Sequence, residues 1–325
     1  MKVVRLTVSK RNYGGEIYER HIDQVLRDAC DYEVVTFEFQ RVGLWRILEI
    51  PAYVSFLRRW SRNDDFFVIR GFSAAMFPLS RPEQGATIVH HIDTTGSSLV
   101  SAAVQRILEW RFRRANGSRD RIVTISEYWR NYFRGIGFAN VPLIHCAYDV
   151  DVYQASPEQV ADFKRRHGLG KRPVVYIGNP QRKKGAFEVV RALQGDPYDL
   201  VTSGEGEPVP GTTHLNLSFE DYRLLLRSSS VVITFSRFKE GWCRVAHEAM
   251  LMGVPVIGSG RGGMRELLEG GGQAVIDSEA DLRGAVHRIV SGAAAPPVDQ
   301  GYARGFTIQR FGEAWLKVLS GACGR

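Results

Sequence analysis

Glu240 and Glu248 lie eight positions apart in KEGWCRVAHEAMLMGVPVIGSGRGGMRELL, a stretch that otherwise reads as protein interior. Ala246, Ala249 and Met250 surround the second acid, on a segment whose pattern predicts a helix buried against a sheet. An unpaired carboxylate buried there costs roughly several kcal/mol, so such an acid needs hydroxyl or cationic partners. Sugar and ribose hydroxyls are suitable donors, and two acids in this arrangement can hold two sugar rings. The plainer reading is one helix cap and one solvated acid.

The elements that must carry these acids follow from the apolar pattern. MKVVRLTVSKRNYGGEIYERHIDQVLRDA alternates, breaks at Gly14-Gly15, then takes a helical period, the opening of a βαβ unit. Further strands are expected at 32–39, 64–71, 86–92 and 121–127. Periodicity is lost over 142–159. A second series then begins, with strands at 172–179, 199–204, 230–236 and 254–260 and helices at 186–193, 220–228 and 244–252. Residues 306–319 have the period of a terminal helix. Alternating strands and helices imply parallel sheets. The expected architecture is α/β: two Rossmann-like doubly wound parallel-sheet domains facing across a cleft, which is the default ligand site. The expected boundaries are 1–149, 150–302 and a C-terminal helix in 303–325 that packs back toward the first domain.

A chain of 325 residues exceeds what one core usually serves, in line with two domains. The net charge of +8 favours anionic partners such as nucleotides, phosphorylated substrates, acidic lipid surfaces or nucleic acid. RVGLWRILEIPAYVSFLRRWSR (41–62) and RILEWRFRRANGSR (106–119) mix Arg with Trp, Leu and Ile. That pattern suits a helix on an anionic membrane surface, or an ordinary helix whose apolar stripe faces the core. No run is apolar enough to span a bilayer, and MKVVR leads into polar sequence rather than a signal-peptide core, so the expected location is cytoplasmic, with a peripheral position at the inner membrane face left open by the basic segments. Cys30, Cys146, Cys243 and Cys323 have no metal-ligand spacing and read as idle thiols.

SRFKEGWCRVAHEAMLMGVPVIGSGRGGMREL resembles the E-x7-E region of retaining nucleotide-sugar glycosyltransferases, family 4 of the GT-B fold. The matching positions are Glu240, Gly241, Glu248-Ala249-Met250, Gly253, Pro255-Val256-Ile257, Gly262-Gly263 and Glu266. YGGEIYERHIDQVL is similar to the family's first glycine loop, TISEYWRNYFRGIGF to a strand-serine-helix, and IHCAYDVDVYQ to its linker. YIGNPQRKKGAFEVVRAL and LVTSGEGE resemble the opening of its donor domain.

The resemblance implies a first domain that binds the acceptor and a second that binds the donor. Its reaction is metal-independent transfer of a sugar from a nucleotide-sugar donor, UDP- or GDP-linked, to a hydroxyl of a glycan, a lipid-linked acceptor or another acceptor. No cofactor and no nucleic acid partner are expected. The departing nucleoside diphosphate leaves negative charge that cations must stabilise. Lys184 and Arg182 are placed for this, with Lys183 able to replace either. Backbone N–H groups at Gly241, Trp242 and Cys243 open a helix and add an anion-binding element. Glu248 would hold the ribose hydroxyls and Glu240 those of the donor sugar. Gly14 and Gly15 would let the backbone approach the diphosphate, with Gly178 and Ser236 also at the donor. In VHHIDTTGSS the family's active-site histidine falls at His91 by strand alternation, with His90 as the fallback.

Several positions depart from the family pattern. Its G-R is Gly178-Asn179, its serine position holds Arg237 with Ser236 one place earlier, its G-F-G is Gly241-Trp242-Cys243, and His247 adjoins Glu248. These put the donor's identity in doubt more than the reaction type. The DVD run at 149–151 looks like a metal motif but lies in the linker. GSGRGG at 258–263, even with Asp277 downstream, is a weak dinucleotide pattern, and there is no P-loop. The alternatives are a nucleotide-sugar epimerase of the same fold and a basic nucleic-acid-binding protein.

Overall fold

The computed structural model describes residues 2–8, 14–41, 45, 48–61, 66–72, 74, 82–92, 110, 114, 121–293 and 296–323. The chain divides into two compact units, one made of residues 1–147 with 308–325 and the other of residues 148–307.

The first unit holds a parallel sheet in the order β2-β1-β3-β4-β5. Its strands are β1 (Lys2–Val8), β2 (Tyr32–Phe37), β3 (Phe66–Gly71), β4 (Gly85–Val89) and β5 (Ile122–Thr124). From β1 the chain steps to β2 on one side and later to β3 on the other, so the direction of winding reverses between β1 and β3. The helix Gly14–Ala29 starts with the two glycines that follow β1. It is held to the strand by Arg5, which donates to both oxygens of Asp23 at 2.7 and 2.8 Å and also pairs with Glu19. The helix Ile50–Ser61 turns Tyr53 and Leu57 onto Val4, Leu6 and Val68. The inner stripe of 41–62 therefore faces the core, while Trp45, Leu48 and Ile50 ahead of it remain 70, 58 and 47 % exposed. Most of 106–119 lies outside the described residues. Trp110 is exposed, with the Arg114 guanidinium 5.3 Å from its ring centre. The terminal helix Ile308–Cys323 belongs to this first unit, where Phe311 meets Tyr18 edge-on.

The second unit holds a six-stranded parallel sheet in the order β11-β10-β9-β6-β7-β8. Its strands are β6 (Val174–Tyr176), β7 (Asp199–Ser203), β8 (Thr213–Leu215), β9 (Val231–Thr234), β10 (Val256–Gly258) and β11 (Ala274–Val275). Winding reverses between β6 and β9. In open α/β sheets that crevice, at the carboxyl ends of the strands, is where ligands bind. One face of the sheet, with Val175, Ile177, Val231, Ile233 and Ile257, packs on Val189 and Leu193 of helix Ala186–Leu193 and on Val286 and Ile289 of helix Leu282–Val290. The helix Arg244–Leu251 follows β9 and is buried at six of its eight positions, including His247 and Glu248.

Gly185 locks the loop after β6 against the loop after β9. Its φ is +75°, and a Cβ there would lie 2.0 Å from the carbonyl oxygen of Phe235. Arg237 N–H donates to the Lys183 carbonyl at 2.9 Å, completing the junction. Gly178 also has positive φ, +82°, but open space where its Cβ would be. Gly185→Ala is therefore expected to cost about 3 kcal/mol or more, through backbone collision plus φ strain. Gly178→Ala is expected to cost only about 1 kcal/mol, from the φ alone. Urea unfolding of the two variants beside the parent checks this, and equal losses would refute the close approach.

Candidate active site

The two loops that meet at Gly185 bring one of the sequence-identified cations, Lys184, to the first acid. Lys184 Nζ lies 2.6 Å from Glu240 Oε1, and Ser236 Oγ donates to the same oxygen at 2.5 Å. Glu240 is buried, while the Lys184 side chain is 33 % exposed and faces the ring of Phe238. The backbone of Glu240 is pinned from the other side. Its N–H donates to the Arg261 carbonyl at 3.1 Å and its carbonyl accepts from Gly263 N–H at 2.9 Å. Gly262, φ +68°, has its Cα so close that a Cβ would lie 2.4 Å from the Glu240 carbonyl oxygen. Ser259 Oγ adds a bond to the Ser236 carbonyl at 2.8 Å.

Arg182 and Lys183 sit beside this cluster without entering it. Arg182 is exposed and lies over the Phe187 ring at 4.4 Å, and Lys183 is exposed over Phe238 at 5.3 Å. Gly178 opens the same loop directly beyond β6.

Gly241, Trp242 and Cys243 are all buried. The Trp242 indole donates to His247 Nδ1 at 3.1 Å, and His247 Nε2 meets the Ala303 carbonyl at 2.9 Å. His247 is thereby a neutral imidazole with its proton on Nε2. The Trp242 ring is committed to the interior, so this segment presents backbone rather than indole. Cys243 is the N-cap residue of the helix. Burial, then the charge of Glu240, pushes its thiol up to about 12, so it stays protonated. The opening turn of a helix favours an anion.

Glu248 lies on the second turn of the same helix and is 5 % exposed. Its Oε1 accepts from Tyr153 OH at 3.2 Å and from Arg244 Nη2 at 3.0 Å, and its Oε2 from Tyr222 OH at 2.8 Å. Sequence reasoning missed all three partners. Arg244 was legible as the i−4 neighbour of Glu248 on a helix. Tyr153 and Tyr222 stand on separate elements and carried no local signal. Burial, reinforced by the Glu248 charge, raises both phenols well above the ordinary tyrosine range, so they remain proton donors.

In the first unit His90 and His91 have different surroundings. His91 is exposed, whereas His90 faces the glycine turn. A Cβ on Gly15 would lie 3.4 Å from the His90 ring, and Tyr18 meets that ring edge-on at 5.1 Å. Strand β4 ends at Val89, so the period-two rule that pointed to His91 no longer applies beyond it. His90 Nε2 is buried with no hydrogen-bond partner among the described residues. Gly14 begins the helix beside it; residues 9–13 of the glycine loop and 93–98 of VHHIDTTGSS lie outside the described residues. Among the described residues no group of three or more His, Cys, Asp or Glu side chains converges as a metal site would, and no helix is long and apolar enough to cross a membrane.

Residues 172–291 match the family model for Glycosyl transferases group 1. Over 98 % of this chain and 99 % of that one, the structure is similar to Anabaena HepE in complex with UDP and glucose, with TM-score 0.77 at 17 % identity. The fold is GT-B. A sucrose-phosphate synthase from Thermosynechococcus elongatus is also similar, with TM-score 0.70, 17 % identity and coverage of 99 and 96 %. Among curated proteins, "Putative teichuronic acid biosynthesis glycosyltransferase TuaC" of Bacillus subtilis (strain 168) is 25 % identical over 169 residues. That match takes in 48 % of this chain and 42 % of the relative, so it spans less than half the relative's length. The family match falls within the second unit, which carries the Lys184–Glu240 cluster.

Burial, with a smaller contribution from neighbouring His91, lowers His90 to about 4. Its ordinary value is near 6.5, so the folded state resists a proton that the unfolded chain accepts. The stability from keeping it neutral is complete above pH 6.5 and is lost as pH falls from 6.5 toward 4. On the order of 3 kcal/mol is at stake. His90→Gln is expected to lack this component of acid destabilisation, read as the slope of unfolding free energy against pH. An unchanged slope would show that His90 is solvated.

Proposed function

We propose that the chain is a retaining glycosyltransferase of family 4, which moves a sugar from a nucleotide donor to a hydroxyl acceptor without a metal. The observation that carries this reading is the Lys184–Glu240–Ser236 cluster, held at the carboxyl ends of β6 and β9 where the winding of the sheet reverses. Glu240 accepts from hydroxyls of the donor sugar. Lys184, whose ammonium has three donor protons, serves Glu240 and the departing diphosphate together. Lys183, Arg182 and the helix opening at Gly241, Trp242 and Cys243 spread the rest of that charge, which lowers the barrier to departure. Glu248 faces the ribose. His90, half-buried against Gly15, offers its Nε2 to a substrate hydroxyl. UDP is the first nucleotide to test, because HepE holds it on the same fold.

A melting-temperature screen against UDP, GDP and ADP tests the reading. A nucleoside diphosphate at 100 times its dissociation constant is expected to stabilise by about 2.7 kcal/mol. Lys184→Gln is expected to weaken that nucleotide at least about tenfold, and the more remote Arg182→Gln by about threefold or less. If millimolar concentrations of all three leave melting unmoved, the reading is wrong. Product formed from donor alone would point instead to an epimerase.

The acceptor in this reading is a glycan presented on a lipid at an anionic membrane face. Trp45, Leu48 and Ile50 expose their apolar surface ahead of Arg58 and Arg59, which are themselves exposed. Aromatic and aliphatic side chains beside arginines insert at lipid headgroups. Co-sedimentation with phosphatidylglycerol vesicles is expected, and is expected to disappear in about 0.5 M salt and in a Trp45→Ser, Leu48→Ser double variant. Equal pelleting of the parent and the double variant would refute the role of this segment.

A further inference from the structure

Glu248 has fewer open acceptor positions than a ribose grip requires. An ionised carboxylate offers about four lone-pair positions, two on each oxygen. Both positions on Oε1 are taken, by Tyr153 OH and Arg244 Nη2, and one on Oε2 is taken by Tyr222 OH. No further donor reaches Glu248 among the described residues. Each phenol has a single proton and spends it here, because burial keeps both hydroxyls un-ionised. One position on Oε2 remains. It lies on the side of Tyr222, which is partly exposed, rather than Tyr153, which is buried. A vicinal diol grips a carboxylate by donating to both oxygens at once, and the filled Oε1 forbids that arrangement.

We propose that Glu248 recognises a ribosyl group through one hydroxyl only, and that the phenols of Tyr153 and Tyr222 set this limit. The inference rests on the nucleotide-sugar reading above and deepens it. In this chain the two tyrosines are specificity-determining residues: they hold the carboxylate still and leave it able to distinguish the two ribose hydroxyls. Tyr153 follows the first residues of the second unit, Tyr222 stands on helix Phe219–Ser228 and Arg244 on the same helix as Glu248. The carboxylate is therefore oriented by three separate segments before any ligand arrives, and its open position has a fixed direction.

Calorimetric titration of the full chain with UDP, 2′-deoxy-UDP and 3′-deoxy-UDP tests the proposal. One deoxy analogue is expected to bind about tenfold or more weakly than UDP, the loss of a hydrogen bond to a charged group, and the other to stay within about twofold. Tyr153→Phe opens a position on Oε1, so the formerly indifferent analogue is expected to fall behind UDP by about fivefold. Tyr222→Phe opens a second position on Oε2 and is expected to do the same, which covers the case of one variant folding poorly. Equal penalties for the two analogues in the parent, large or negligible, overturn the proposal. So does an unchanged ratio between them in both variants. If the chain binds none of UDP, GDP and ADP, the nucleotide-sugar reading falls and takes this inference with it. Binding of UDP with equal penalties removes the inference alone.

Discussion

A buried carboxylate at Glu240 persists because two loops are forced together where one residue has no side chain. Gly185 lets the segment after β6 touch the Phe235 carbonyl, and with the Arg237 to Lys183 backbone bond it sets the loops so that Lys184 lies 2.6 Å from Glu240. Gly262 does the same from the β10 side, where the Glu240 backbone is clamped by Arg261 and Gly263. Glu240 is the buried member of the pair and Lys184 the partly exposed one, so losing the lysine leaves a buried acid short of a partner. The cluster is consequently built before any ligand is present. A site assembled in advance does not spend binding free energy on ordering its own side chains.

The two glutamates of the eight-residue spacing meet the cost of burial differently. Glu240 has a partly exposed ammonium and a serine hydroxyl on one oxygen. Glu248 is met on both oxygens by two phenols and a guanidinium, with its Arg244 partner itself over the ring of Tyr148. The premise that a buried acid demands hydroxyl or cationic partners therefore holds for both, but at Glu248 the protein supplies hydroxyls that a ligand was expected to bring. Substrate chemistry read from a buried charge alone thus overstates what the ligand must donate.

Most of the second unit was legible because its helices bury one stripe and its strands are apolar on both faces. The helix Ala186–Leu193 coincides with the expected 186–193. The strands are shorter than their apolar runs: 172–179 contains only Val174–Tyr176 as strand, since the apolar character continues through Ile177 into the loop that carries the site. The aperiodic reading of 142–159 hid the start of helix Pro157–Arg166, although Ser156-Pro157 with Gln159 forms a capping box whose pattern was available. Strand Thr213–Leu215 sits at a sheet edge with partly exposed side chains, so it lacked the apolar signal of its neighbours. Strand β4 ends at Val89, so alternation does not decide between His90 and His91. Tyr153 and Tyr222 are 95 and 26 positions from Glu248 and are joined to it only by tertiary packing. No local pattern encodes that.

Each unit buries a charge cluster, and the position of the cluster along its strand separates the two roles. Arg5 lies inside β1, with neighbours on both sides of it in the ladder to β2. Its guanidinium is matched two-pronged by Asp23, which also accepts from Tyr32, and it is paired with Glu19. That cluster joins a helix to the middle of a strand, where sheet neighbours crowd out a ligand, and its work is to hold the helix in register. Lys184 and Glu240 instead stand beyond the last residues of β6 and β9, where the strands have ended and their connecting loops diverge. The pairing chemistry is similar in both places. What makes the second cluster the candidate site is its place where the sheet's winding reverses, with a partly exposed lysine beside a buried acid that keeps its protein partners.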